Sequence, residues 1–131
     1  MRNVLLFIWQ LPQNIIGIII VFITRAKHES EQDFYCSDRF KYFGVSLGIY
    51  IIFGGSPSED SIKHEKGHQK QSQYLGWFYL PLIGIPSFVG NIRDRLFHKK
   101  WSEKKRITWY YNQLWEKWAD NLGGVKREEV L

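Results

Sequence analysis

The chain has 131 residues, a mass of 15.6 kDa and a formal net charge of +5. This length allows one domain with a short appendage, and it excludes a two-domain enzyme with a separate cofactor-binding half. The single cysteine, Cys36, excludes an internal disulfide and a cysteine-based zinc cluster, so a metal site has to use histidine and carboxylate side chains. The positive charge permits an anionic partner, such as a phospholipid surface or nucleic acid, without requiring one.

Residues 1–24 are predicted to form a hydrophobic N-terminal helix. Within residues 4–23 the amide side chains Gln10, Gln13 and Asn14 cluster around Pro12. A bilayer span needs about 20 mainly apolar residues, so the stretch is just long enough to cross a membrane with a polar kink. A helix that begins near the proline and packs on the core of the domain fits equally well. Membrane contact and core packing therefore both stay open.

The charges that flank this stretch bear on its topology. Arg25 and Lys27 follow it, whereas Arg2 precedes it. Because cytoplasmic segments carry the excess of Lys and Arg, a spanning helix would leave the remaining chain in the cytoplasm. The sequence thus predicts a membrane-associated or a cytoplasmic protein.

Residues 25–131 are predicted to form one α+β domain. Residues 25–33 are polar and charged, which is typical of an exposed connection. Phe34–Cys36 and Val45–Phe53 are rich in β-branched and aromatic side chains, which indicates two or three strands of a small antiparallel sheet. The lone thiol of Cys36 is expected to be buried and structural.

Two helices are predicted from the residues at their ends. Ser56 is the expected N-cap of a helix over Pro57–Leu75, with Glu59 placed to complete a capping box. A final helix is expected over residues 102–122, closed by the glycines that follow. Between them, the apolar residues 77–90 contain two prolines, so a buried segment that is irregular or briefly helical is expected.

The first of these helices contains His64-Glu65-Lys66-Gly67-His68, an H-E-x-x-H pattern. Residues four apart lie on one face of a helix, so His64 and His68 can reach the same metal ion. A zinc ion held by two histidines and one carboxylate keeps a position open for water and lowers the pKa of that water. Glu65 lies beside the pair and can accept the proton without being a ligand.

The final helix supplies a candidate third ligand, Glu116. Asp120 lies one turn further along the same face and is expected to orient a ligating histidine, His64, through its second ring nitrogen. Asn112 lies one turn earlier on that face and is expected to point into the site. The opposite face is expected to form the core stripe of this helix: Ile107, Leu114, Trp118 and Leu122.

Three further residues are candidates for contacts to substrate or to an oxyanion. Tyr110, Tyr111 and His98 have suitable donors, although a core or surface position accounts for them more simply. The basic residues 91–106 are interpreted as a solvated face, because they contain no recognisable motif for nucleic-acid binding.

These motifs resemble a known family. The H-E-x-x-H pattern followed by E-x-x-x-D on a later helix resembles the gluzincin branch of zinc metallopeptidases. A closer resemblance, over residues 45–125, is to small bacterial HExGH metallopeptidase-like domains, some of which end Rhs-type toxins. The segments that carry it are residues 64–72, 75–80, 84–87 and 116–124.

The resemblance implies a bacterial, minimal zincin-like core that binds one Zn²⁺ ion and acts on a peptide or protein. The substrate would lie in extended form along a sheet edge. His64, His68 and Glu116 would be the zinc ligands, Glu65 the general base and Asp120 the residue that orients a ligand.

Two other functions stay open at this point. One is a catalytically inactive, membrane-associated module for metal binding or protein interaction, which agrees with the small size of the chain and with Lys66, where the family usually has an uncharged residue. The other is a basic binder of membrane surfaces or nucleic acid, whose binding would depend on salt and need no metal.

Overall fold

The computed structural model of the chain describes residues 2–29, 32–40 and 44–127 and confirms the α+β class. In the described ranges, helices predominate and the strands form one small sheet. The elements in chain order are α1 (Arg2–Trp9), α2 (Leu11–Thr24), β1 (Lys27–His28), β2 (Tyr35–Cys36), β3 (Gly44–Leu47), β4 (Tyr50–Phe53), α3 (Glu59–Leu75), a 3-10 turn (Gly76–Phe78), a π-helical turn (Leu80–Gly84), α4 (Ile85–Phe97), α5 (Glu103–Tyr111) and α6 (Leu114–Gly123).

The N-terminal stretch forms two helices rather than one. Residues 3–9 and Leu11–Thr24 are bent by 88° at Gln10. In the described part of the chain, no single helix has the length and apolar character needed to cross a bilayer; these two helices meet that requirement only as a bent pair.

The α2 helix buries its amide side chains and exposes five of its six isoleucines. Gln13 and Asn14 are fully buried, as is Gln10 just before the helix. Nε2 of Gln13 donates to Oγ of Ser72 and to the carbonyl of Gly76, each over 2.8 Å. The buried amides thus attach α2 to the end of α3, and its apolar face points away from the protein.

The sheet has the strand order β1-β2-β4-β3. The β1–β2 and β3–β4 pairings are antiparallel, but β2 and β4 are parallel. The sheet is therefore mixed, whereas the sequence predicted an antiparallel sheet. The reason is the connection: the chain crosses from β2 to the far edge before the β3–β4 hairpin returns beside it. The segment 25–33, which was expected to be an exposed connection, also contains β1.

Packing of Phe34, Ile51 and Phe53 forms the core, with a half-buried Cys36 against it.

The α3 helix begins two residues later than predicted. Its N-cap is Ser58 and not Ser56, because Ser58 has an extended backbone and its hydroxyl accepts the amide of Ser61 over 3.1 Å. The predicted end is confirmed: Gly76 follows Leu75 with φ +56°, a conformation that favours glycine.

Residues 77–90 are helical and half of them are exposed, which contradicts the expectation that the segment is buried. Pro86 lies in the first turn of α4, where a missing N–H is tolerated, and Pro81 lies in the π-helical turn. Tyr79 and Ile83 face the interior, whereas large apolar side chains on both sides of them are exposed.

The predicted final helix is divided into α5 and α6. Asn112 caps the end of α5, and Gln113 has an extended backbone with ψ 141°. The predicted core stripe is also wrong: Leu114 is 81% exposed, because the face of α6 that packs against α3 carries Glu116, Ala119 and Asp120, which are buried.

Candidate metal centre

The α3 and α6 helices bring His64, His68 and Glu116 together. The Nε2 atoms of both histidines lie 2.9 Å from Oε2 of Glu116. One ligand atom from each of the three residues lies within 4.8 Å of the others, and all three side chains are buried. This group can hold a metal ion.

The outer ring nitrogen of His64 faces a carboxylate. Its Nδ1 lies 2.6 Å from Oδ1 of Asp120, and Nε of Arg127 donates to the other oxygen of Asp120 over 2.6 Å. Although burial opposes the charge, these hydrogen bonds lower the pKa of Asp120. An ionised carboxylate only accepts hydrogen bonds, so Nδ1 of His64 carries a proton.

The outer ring nitrogen of His68 faces an amide oxygen. Its Nδ1 lies 2.6 Å from Oε1 of Gln71, whose Nε2 donates to the carbonyl of Trp115 over 2.9 Å. Because that second bond identifies which atom of the amide is the nitrogen, the group that faces His68 is an acceptor. Nδ1 of His68 therefore also carries a proton.

The Nε2 atoms of both rings therefore point toward one more hydrogen-bond acceptor, the carboxylate of Glu116. A neutral imidazole protonated at Nδ1 has a lone pair at Nε2, and both lone pairs face Oε2 of Glu116. This arrangement is repulsive unless the rings are protonated or a cation lies among the three atoms. Two imidazole nitrogens and a carboxylate oxygen are a donor set that suits zinc.

The pKa values of the three side chains also indicate that the centre favours positive charge beside the Glu116 carboxylate. Burial opposes protonation of His64, but hydrogen bonds to Asp120 and Glu116 raise its pKa to about 9. The pKa of His68 is also raised, because the Glu116 carboxylate outweighs the effect of burial. Despite burial, the two imidazoles hold the pKa of Glu116 well below its ordinary value.

Glu65 lies beside this centre on the lining of a cavity of about 360 Å³. Its Oε2 is buried and has no hydrogen-bond partner among the described residues. Burial raises the pKa of this carboxyl group. Glu65 thus has a free oxygen beside the candidate ligands.

Tyr110 and Ser87 connect the same cavity to Glu116. The hydroxyl of Tyr110 lies 3.2 Å from Oγ of Ser87, which in turn donates a short hydrogen bond to Oε1 of Glu116. Ser87 therefore occupies the second oxygen of Glu116, and Oε2 remains directed at the histidines. Tyr110 lines the cavity together with Glu65 and His68.

Of the remaining candidates from the sequence, Tyr111 contacts the centre, whereas Asn112 and His98 lie outside it. Tyr111 packs edge-on against the ring of His64 at 4.9 Å, under the guanidinium of Arg127. Asn112 is exposed at the helix break, because α5 ends there, so the structure does not bring it into the site. His98 is also outside the site: it stacks on Trp101 at 3.6 Å, lies 3.0 Å from a carboxylate oxygen of Asp94, and is not part of the cavity lining.

Sequence reasoning missed three residues of the centre. Gln71 lies three residues after His68 on the same helix, a spacing that could have identified it. Ser87 comes from the segment interpreted as buried and irregular, and Arg127 from the C-terminal tail; no local signal marks either of them.

No protein-family model matches the chain, and no curated protein or solved structure is significantly similar to it. The assignment of the site therefore depends on its geometry.

Proposed function

We propose that this protein is a zinc-dependent metallopeptidase. The observation that carries the proposal is the convergence of the two Nε2 lone pairs on Oε2 of Glu116, beside the unpaired carboxylate oxygen of Glu65. Three ligands from the protein leave a zinc ion with an open position, which is the arrangement of catalytic sites rather than closed structural ones.

Each residue has a role that follows from its contacts. His64, His68 and Glu116 would hold the ion, which when bound supplies a Lewis acid for the peptide carbonyl and lowers the pKa of water. Glu65 accepts the proton of the attacking water and passes it to the leaving amine, a role for which its raised pKa is suited. Tyr110 lines the cavity with a hydroxyl that can donate to the oxygen on which negative charge develops.

The cavity also offers a surface for an extended peptide. β3 is one of the two edge strands of the sheet in the described part of the chain, and all four of its residues, Gly44–Leu47, line the cavity. A Cβ on Gly44 would lie 3.2 Å from Cγ of Glu65, so this strand passes directly beside the proposed general base. A substrate that added a strand to β3 would carry a peptide bond past Glu65.

The test compares wild-type protein with Glu65→Gln in zinc content and in cleavage of a peptide library. We expect one zinc per chain in both proteins and a loss of cleavage of at least about 100-fold in the variant. Glu59→Gln is a matched control, since it makes the same change at an exposed position of the same helix, and it should retain cleavage.

Three results would contradict the proposal. Absence of zinc after purification under zinc-replete conditions, or zinc that persists after His64→Ala, would exclude this centre as a zinc site. Stoichiometric zinc with no cleavage of any library peptide would instead support the non-catalytic metal-binding module.

A further inference from the structure

Two segments of the chain contain no charged residue and no histidine: residues 3–24 and residues 74–92. Most of the exposed large hydrophobic side chains belong to these segments or to the last turn of α4. In α2 the exposed side chains are isoleucines and Phe22, which is 84% exposed, while the buried ones are amides. An apolar surface of this extent is typical of a binding surface in a folded protein.

The two segments contact each other and form one surface, here called the uncharged face. Nε1 of Trp77 donates to the carbonyl of Ile8, and Nε1 of Trp9 donates to the carbonyl of Gln73, each over 3.0 Å. A Cβ on Gly76 would collide with the indole of Trp9, so this indole packs directly on the backbone of Gly76. Residues 3–24 and residues 74–92 are thus parts of the same face.

The cavity beside Glu65 opens on this face. Ile16 of α2 and Ile85 of α4 both line the cavity, yet they are 39% and 58% exposed. A side chain that is both cavity-lining and exposed lies at the rim. The mouth of the cavity is therefore bordered by apolar side chains from both segments.

Basic residues directly follow each uncharged segment. Arg25 and Lys27 follow α2, and Arg93 follows Ile92; all three are exposed. Further along, Lys99 and Lys100 are also exposed. An apolar surface flanked by basic side chains complements a bilayer that contains anionic lipids.

The helices are suited to lie on a bilayer rather than to cross it. With 14 residues, α2 is about 21 Å long, which is shorter than the roughly 30 Å hydrocarbon core. The 88° bend at Gln10 turns α1 away from its axis. Buried amides and outward isoleucines would place the apolar side of α2 against lipid and its polar side against the protein.

We propose that the uncharged face docks on the surface of an anionic lipid bilayer, and that the cavity takes an apolar segment of a membrane-bound peptide. The docking surface is independent of catalysis, whereas the substrate class rests on the proposed peptidase function. The apolar walls of the cavity, with Leu80 and Ile85 among them, would accept the hydrophobic side chains of such a segment.

The docking test uses the Glu65→Gln protein, so that binding is measured without hydrolysis. It is sedimented with vesicles of phosphatidylcholine alone and with vesicles of equal parts phosphatidylcholine and phosphatidylglycerol. We expect binding to the mixed vesicles. Adding Leu82→Glu should weaken that binding about tenfold, because it places a charge on the uncharged face. Adding Leu114→Glu, the same change at an exposed position of α6, should leave it unaltered.

Thermal melts establish that each variant is folded. Failure of the folded protein to bind either vesicle, or equal losses from both glutamate variants, would overturn the docking surface whether or not the protein is a peptidase.

The substrate test uses protein with Glu65 intact and one apolar peptide, presented either free in solution or attached to the mixed vesicles by an acyl chain. We expect faster cleavage on vesicles, and loss of that advantage in Leu82→Glu but not in Leu114→Glu. Equal rates on both forms would overturn the substrate class. Vesicle binding without cleavage of any peptide would support the docking surface and overturn the peptidase function.

Discussion

Gly67 lies directly against the backbone of Ala119, so closely that a Cβ at Gly67 would collide with the carbonyl oxygen of Ala119. A second glycine, Gly123, makes the same kind of approach to the backbone of Lys63. These two contacts fix the short distance between α3 and α6. Because α3 carries the histidines and α6 carries the glutamate, that distance determines whether all three ligand atoms can meet.

Gly67→Ala should therefore damage both stability and metal binding. Overpacking at a rigid backbone contact is expected to lower the free energy of unfolding by on the order of 1–3 kcal/mol, and the displaced α6 should weaken zinc binding. Thermal melts and zinc titrations measure the two effects. Gln73→Ala, at an exposed position of the same helix, should change neither. A Gly67→Ala protein with normal zinc affinity would show that the helix spacing is not critical.

Asp120→Asn should weaken zinc binding by roughly 10- to 100-fold while the protein stays folded. The carboxylate orients His64 by accepting its Nδ1–H over 2.6 Å, and an amide in its place can present a donor to the same nitrogen. Competition with a chromophoric chelator measures the affinity. An unchanged affinity would mean that the ring of His64 is held in place without help from Asp120.

Gln13→Leu should destabilise the protein even though it makes an apolar helix more apolar. The change leaves the Gly76 carbonyl and the Ser72 hydroxyl without their donor in a buried place, at a cost of about 1–3 kcal/mol. Ile18→Gln, on the exposed side of the same helix, should alter the free energy of unfolding by less than about 0.5 kcal/mol. Urea unfolding in the absence of lipid distinguishes them, and the opposite ranking would show that α2 is not oriented as described.

Stability at acid pH should depend on Asp94, which joins α4 to α5. Burial opposes its charge, but hydrogen bonds from Arg106 and His98 lower the pKa of Asp94 below the ordinary 3.8. A carboxyl group with a lowered folded-state pKa contributes stability above its unfolded pKa and loses it as the pH falls through the folded value. Wild-type protein should therefore lose more stability than Asp94→Asn between pH 5 and 2. Urea unfolding at each pH measures the free energy of unfolding of both proteins. An equal loss in the two proteins between pH 5 and 2 would contradict this prediction.

Local signals in the sequence were sufficient for those parts of the candidate metal centre that lie within one helix, whereas the meeting of α3 and α6 is not a local property. The i, i+4 spacing of His64 and His68 needs only a helix, and Gly76 marks where that helix ends. Glu116 and Asp120 share a face at the same spacing, which holds for any helix that contains both. These predictions survived because each depends on the geometry within a single helix.

Several predictions that needed long-range information failed. Asn112 was placed on the face of Glu116 by assuming one helix over residues 102–122, and nothing local marks the extended backbone of Gln113. The burial of Gln13 and Asn14 is set by partners around 60 residues away in α3 and by the β3–β4 turn, so periodicity alone would assign the isoleucines to the core. The parallel β2–β4 pairing likewise depends on how the chain connects the strands, which no local residue pattern indicates.

The hydrogen bonds that attach α2 to the end of α3 have a consequence for the order of folding. They join residues separated by 59 and 63 positions in sequence. Contacts over such separations carry a large loop-closure entropy and form after local ones. We infer that, during synthesis, the first two helices emerge with their amides unpaired and reach their final arrangement only once residues 72–76 are available. The α3 helix would then act as the template on which α1 and α2 complete their fold.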